Sequence, residues 1–157
     1  MNRSEKSWLH WQLLALIAGV YALSFFLPAL SIPIRMDGQL VDADGRLLWT
    51  PMRLSGADAF RMAVENGMAP LARAGVVWFA NPIIWLGAVL LALRKNVLAG
   101  IAGLVAVVLI LGNYVLEELG SGDKAAHLAG FWLWFTSAAL LSVVGFALSL
   151  RARMNSA

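Results

Sequence analysis

AGVVWFANPIIWLGAVLLALRKNVLAGIAGLVAVVLILGNYVL, residues 74–116, decides the fold. Its only charges are Arg94 and Lys95. A hydrocarbon core about 30 Å thick needs roughly 20 apolar residues as a helix. Ala74–Leu93 and Asn96–Leu116 each meet that length, and a charged pair has no place between them inside lipid. The stretch therefore predicts two membrane helices joined by a tight antiparallel hairpin.

The same reading extends outward in both directions. Ser7–Ile34 and Ala125–Leu150 also lack Asp, Glu, Lys and Arg. The expectation is an all-α integral membrane protein, one domain over residues 1–157, with transmembrane helices at about 8–28, 74–93, 96–116 and 129–150. Composition agrees: 61% of residues are hydrophobic, against about 45–50% in an ordinary soluble domain. The first apolar run exceeds the roughly 7–15 residues of a signal-peptide core. Leu27 also stands where a cleavage site wants a small residue, so an uncleaved first helix is expected.

Charge distribution sets the expected orientation. Arg3, Lys6, Arg94, Lys95, Arg151 and Arg153 flank helix ends on one side, opposed there only by Glu5. The turn between helices three and four carries Glu117, Glu118 and Asp123 against Lys124. By the positive-inside rule both chain ends face the cytoplasm. The net charge of +3 reflects these flanks; with no basic stripe interleaved with exposed aromatics, no nucleic-acid partner is expected.

The one sizeable aqueous piece is the extracytoplasmic loop 31–73. Ser31–Met36 and Gln39–Trp49 alternate as short strands, with Asp37-Gly38 and Asp44-Gly45 as turn signals. Ser55-Gly-Ala-Asp58 reads as a capping box that opens a short helix. Together they predict a small hairpin-plus-helix subdomain over the bundle.

Several chemistries fall away. The absence of cysteine removes disulfides, thiolate metal sites, cysteine nucleophiles and iron–sulfur clusters. No Gly-x-Ser-x-Gly elbow or His-Glu-x-x-His motif is present. His10 and His127 fall at opposite ends of the bundle, about 30 Å apart, too far to share a haem. His10, between Trp8 and Trp11, reads as an interfacial anchor. Asp123 and His127 share a face if helix four starts early, and Glu117 and Glu118 lie nearby in sequence. The competing reading, a helix start capped by Asp123 beside solvated glutamates, is adopted. No metal, cofactor or catalytic residue is expected.

The intramembrane polar residues form the most suggestive pattern. Tyr21, Ser24, Asn81, Asn113 and Thr136 all fall in the outer third of the membrane, one or more from each helix. Such groups serve as interhelical glue, or they line an outward-facing polar pocket for a lipid headgroup or small molecule. No ionisable residue lies in the span cores, which argues against an ion-coupled pump. Pro82 predicts a kink in helix two. Ala99/Gly103, Ala102/Ala106 and Gly145/Ser149 have the spacing that lets helices approach closely. Phe131, Trp132, Trp134 and Phe135 form an outer aromatic belt.

Ser24-Phe-Phe-Leu-Pro-Ala-Leu30, Gly56-Ala-Asp-Ala-Phe60, Trp78-Phe-Ala-Asn-Pro-Ile-Ile-Trp85 and Gly130-Phe-Trp-Leu-Trp-Phe135 occur in an order that resembles a group of small four-helix bacterial inner-membrane proteins. The resemblance implies the fold and a bacterial inner-membrane location. It carries no activity to transfer. The functional expectation is a non-catalytic accessory or interaction subunit, partnered by the bilayer and by other membrane proteins or further copies of itself. The alternative is a lipid or small-molecule binding or transport protein using the polar layer.

Overall fold

A computed structural model describes residues 3–34, 50–58, 61, 79–119 and 126–155. It is mostly helical, with α1 over Arg3–Phe26, α2 over Ala80–Ala92, α3 over Asn96–Leu119 and α4 over Ala129–Met154. Three helices are long and apolar enough to cross a membrane: Trp8–Phe26 in α1, Asn96–Val115 in α3, and α4 itself. As described, α2 has 13 residues, about 20 Å of helix, short of the bilayer core. The expected opening of the second span, residues 74–78, lies outside the described residues.

The helix ends differ from the sequence expectation in ways the local chemistry explains. α1 stops at Phe26 and Pro28 begins a strand, because a proline restricts its predecessor to extended backbone. Phe79 is a turn residue, so Pro82 falls in the first turn of α2. A missing N–H there has no intrahelical partner to lose. Residues 74–78, across which the expected kink would bend the helix, lie outside the described residues.

The loop region is built differently from the expected hairpin. Strand β1, Pro28–Ile34, lies between β2, Thr50–Ser55, and β3, Ala126–His127, in an antiparallel sheet. Leu30 sits opposite Leu54 on one side and His127 on the other. The expected strand at Gln39–Trp49, its two Asp-Gly turns and most of the short helix lie outside the described residues. β3 was not expected at all. It fastens the chain just before α4 to the chain just after α1, and Leu128 N–H adds a bond to Ala29 O at 2.8 Å. The capping box does form: Asp58 accepts from the Ser55 amide at 3.2 Å and hydroxyl at 2.7 Å, while its own N–H donates to Ser55 Oγ at 3.1 Å. These Ser55 bonds hold the Asp58 carboxyl below the usual carboxylate range.

The helices pack in the order α2, α3, α4, α1. The α2/α3 turn is as tight as the sequence predicts. Arg94 N–H bonds to Leu91 O and Lys95 N–H to Leu90 O, both at 2.8 Å, the pattern of a Schellman C-terminus. Along α3 and α4 the backbones touch. A Cβ on Gly103 would collide with the Ser142 amide, and one on Gly145 would come within 2.5 Å of Gly100 N. Ala99, Ala106, Ala138 and Leu141 are fully buried in the core of the bundle. The expected small-residue spacing on α3 is therefore used for close packing.

Candidate functional site

The fourth seam, between α1 and α2, is the exception. These antiparallel helices meet only sparsely and are pinned at two points by side chains. At one, the Tyr21 hydroxyl donates to Asn81 Oδ1 at 2.8 Å. At the other, His10 Nε2 lies 2.7 Å from Leu91 O, 81 residues away in sequence. The carbonyl can only accept, so Nε2 carries the proton in this bond. His10, expected as an interfacial anchor, is buried against α2, and the flanking Trp8 and Trp11 are exposed. The pins are eleven residues apart on α1 and ten on α2, about 15 Å along each axis.

Ile17 and Ile84 fill the seam's floor, at 1% and 2% exposure. Outside them runs a groove of about 710 Å³, following α1 from Ile17 to Phe26. Ala18, Ala22, Ala57 and Ala88 keep it wide, and Tyr21, Phe26 and Trp85 form aromatic walls. Phe26 and Trp85 are 81% and 63% exposed. Tyr21 meets Trp85 edge-on at 6.4 Å. Its hydroxyl is engaged with Asn81, so the groove's character is apolar.

Ala15, Ala18, Gly19 and Ala22 are all exposed on α1. They form two overlapping pairs four residues apart, and a Cβ added at Gly19 would meet nothing within 4 Å. This outward small-residue face was overlooked in the sequence, although Ala15-x-x-x-Gly19 and Ala18-x-x-x-Ala22 were there to be read.

The expected polar layer is distributed otherwise. Of Tyr21, Ser24, Asn81, Asn113 and Thr136, the first and third bond to each other across the seam. Ser24 is buried and donates to Tyr21 O in its own helix at 2.6 Å. Asn113 is buried on α3. Thr136 is on an exposed face of α4 and donates back to Trp132 O at 2.7 Å. Backbone bonds of this kind use the hydroxyl proton within one helix and leave only the oxygen's lone pairs to accept.

His127 belongs to a strand, not to an early turn of α4, so the helical spacing that paired it with Asp123 does not arise. It packs between aromatic rings, 4.2 Å from Phe131 and 5.1 Å from Tyr114 by ring centroids. Asp123 lies outside the described residues, as do the side chains of Glu117 and Glu118 in the last turns of α3. Among the described residues no group of three or more His, Asp or Glu comes together as metal ligands.

The chain matches no protein-family model, and no curated protein matches it in sequence.

Proposed function

We propose that this chain is a non-catalytic subunit of a bacterial inner-membrane assembly and that its α1/α2 seam receives a transmembrane helix of a partner. The observation that carries this reading is the contrast among the four seams: three are packed, and the fourth is pinned open over an apolar groove. Small residues at four-residue spacing are what membrane helices use to approach one another, since lipid supplies no hydrophobic drive between them. α1 presents one such pair, Ala18 and Ala22, in this groove and a second, Ala15 and Gly19, on its exposed surface. In the same proposal, residues 74–92 complete a fourth span, and both chain ends face the cytoplasm under the charge bias of the flanks. The aromatic belt of α4 and the small sheet then lie on the outer side beside the groove.

A second reading has its own support. A largely apolar groove of about 710 Å³ falls within the roughly 300–1,000 Å³ of small-molecule sites, so a lipid-like ligand fits it too. Native mass spectrometry after gentle extraction from the source membrane separates the two. The partner reading predicts a stoichiometric protein complex that Ala18→Leu dissociates while the thermal unfolding of the subunit is unchanged. A lone chain that retains one defined lipid, released by the same substitution, sinks the partner reading in favour of the second. A lone chain with neither sinks both.

A further inference from the structure

At the end of the bundle that carries both chain termini, α1, the α2/α3 turn and the end of α4 enclose a cup of about 350 Å³. His10, Arg94, Asn96, Arg151 and Asn155 line it, with Leu148 on its apolar wall. Among the described residues, no acidic side chain lines it.

Arg94 occupies an uncommon backbone position. It sits at φ 60°, the one positive-φ residue other than glycine among those described. This is the residue just past the helix C-terminus, where a Schellman turn ordinarily takes glycine because a Cβ is strained there. The sequence instead holds a long cation in the strained position and aims it at the cup. Strain held at one residue is a pointer to function. Across the cup stands a second guanidinium, Arg151, on α4. Both already make interactions within the fold, but each guanidinium has five donors in a planar fork suited to phosphate.

The geometry points to a binding site for a phosphate oxyanion at the membrane surface, gripped by Arg94 and Arg151. The volume suits a headgroup rather than a whole lipid. Basic cups between membrane helices at the headgroup level recognise anionic lipids in this way. The simpler account is that both arginines only bias topology and bond the last carbonyls of α2 and α4. That account gives no reason to prefer arginine over glycine at a left-handed position.

The test uses the full chain in nanodiscs of equal phosphatidylglycerol and phosphatidylcholine, comparing Arg94→Gly, Arg151→Gln and, as a charge control on the exposed sheet, Arg53→Gln. Retained lipid is read by native mass spectrometry, and melting temperature is read with and without inorganic phosphate at matched ionic strength. A phosphatidylglycerol site predicts preferential retention that falls about fivefold for each cup variant and is unchanged in the control. Arg94→Gly at the same time raises the melting temperature, because it relieves the backbone strain; loss of binding therefore cannot come from misfolding. Phosphate stabilisation without lipid preference, lost in both cup variants, assigns the site to free phosphate. No preference and no stabilisation, or losses equal in the control, overturns the site.

Discussion

The α3/α4 seam and the α1 face of the α1/α2 seam are written with the same residues and end differently. On α3, Gly100 and Gly103 meet α4 so closely that a Cβ on Gly103 has no room, while Ala102 lies against Gly87 of α2. On α1, Ala15, Ala18, Gly19 and Ala22 are as small, yet they are exposed and a Cβ on Gly19 would touch nothing. α1 turns its large residues, Ile17 and Tyr21, toward α2 and keeps its small ones outside. Small-residue spacing in a membrane helix thus marks a surface able to pack, and only the structure says whether the chain's own helices use it. At α1 they do not.

The sharpest way to break this comparison is to add bulk at both seams. Gly103→Leu forces its side chain into the α4 backbone and is expected to destabilise the bundle by about 3 kcal/mol, the upper range for overpacking. Reversible denaturation in mixed micelles measures it. A change below about 0.5 kcal/mol, the scale of a neutral surface substitution, would mean the close approach is not a structural requirement.

The pins come next. Tyr21→Phe removes the hydroxyl that holds Asn81, and His10→Ala removes the tie to Leu91 O. Each is expected to cost about 0.6–2 kcal/mol, the range for interhelical hydrogen bonds in membranes. The pair should also act together, because both restrain one seam. A double-mutant cycle with no coupling would contradict a shared restraint of α1 on α2.

Ala18→Leu is expected to shift stability by less than about 0.5 kcal/mol, since its site faces outward. This is the counterpart to Gly103→Leu: the same kind of added bulk, tolerated by the fold. Destabilisation equal to that of Gly103→Leu would show the groove to be internal packing.

The smallest effect concerns the sheet and its capping box. Asp58 has its carboxyl held below the ordinary range by Ser55. A depressed folded value means the box contributes at neutral pH and is lost as pH falls through that lowered value. Amide exchange at Gly56–Asp58 should therefore accelerate only in acid below the usual carboxylate range. Acceleration already at pH 6 would contradict the box.

How much of this was legible varies with the kind of evidence a residue carries. Arg94-Lys95 announced the hairpin because charges cannot lie in hydrocarbon, and the structure has a two-bond turn there. Ser55-x-x-Asp58 announced its box because the partners are three residues apart. His10 to Leu91 could not be read, because local patterning says nothing of the register between helices 81 residues apart. The facing of Thr136 was illegible for a different reason. α4 is apolar on every side, so periodicity does not tell which face is inward, and Thr136 turned out to face out. The strand Ala126–His127 is two residues long, too short for any alternating pattern to announce it.

The central claim is that the α1/α2 groove is an interface. The chain's lack of cysteine makes the direct measurement clean: single cysteines at Ala18, Ala88 and, on an exposed face of α3, Val108, each carrying a short photo-crosslinker in native membranes. The account predicts one protein adduct of constant mass from positions 18 and 88 and none from 108. Adducts of equal yield at all three positions, or lipid adducts alone from the groove, would contradict it.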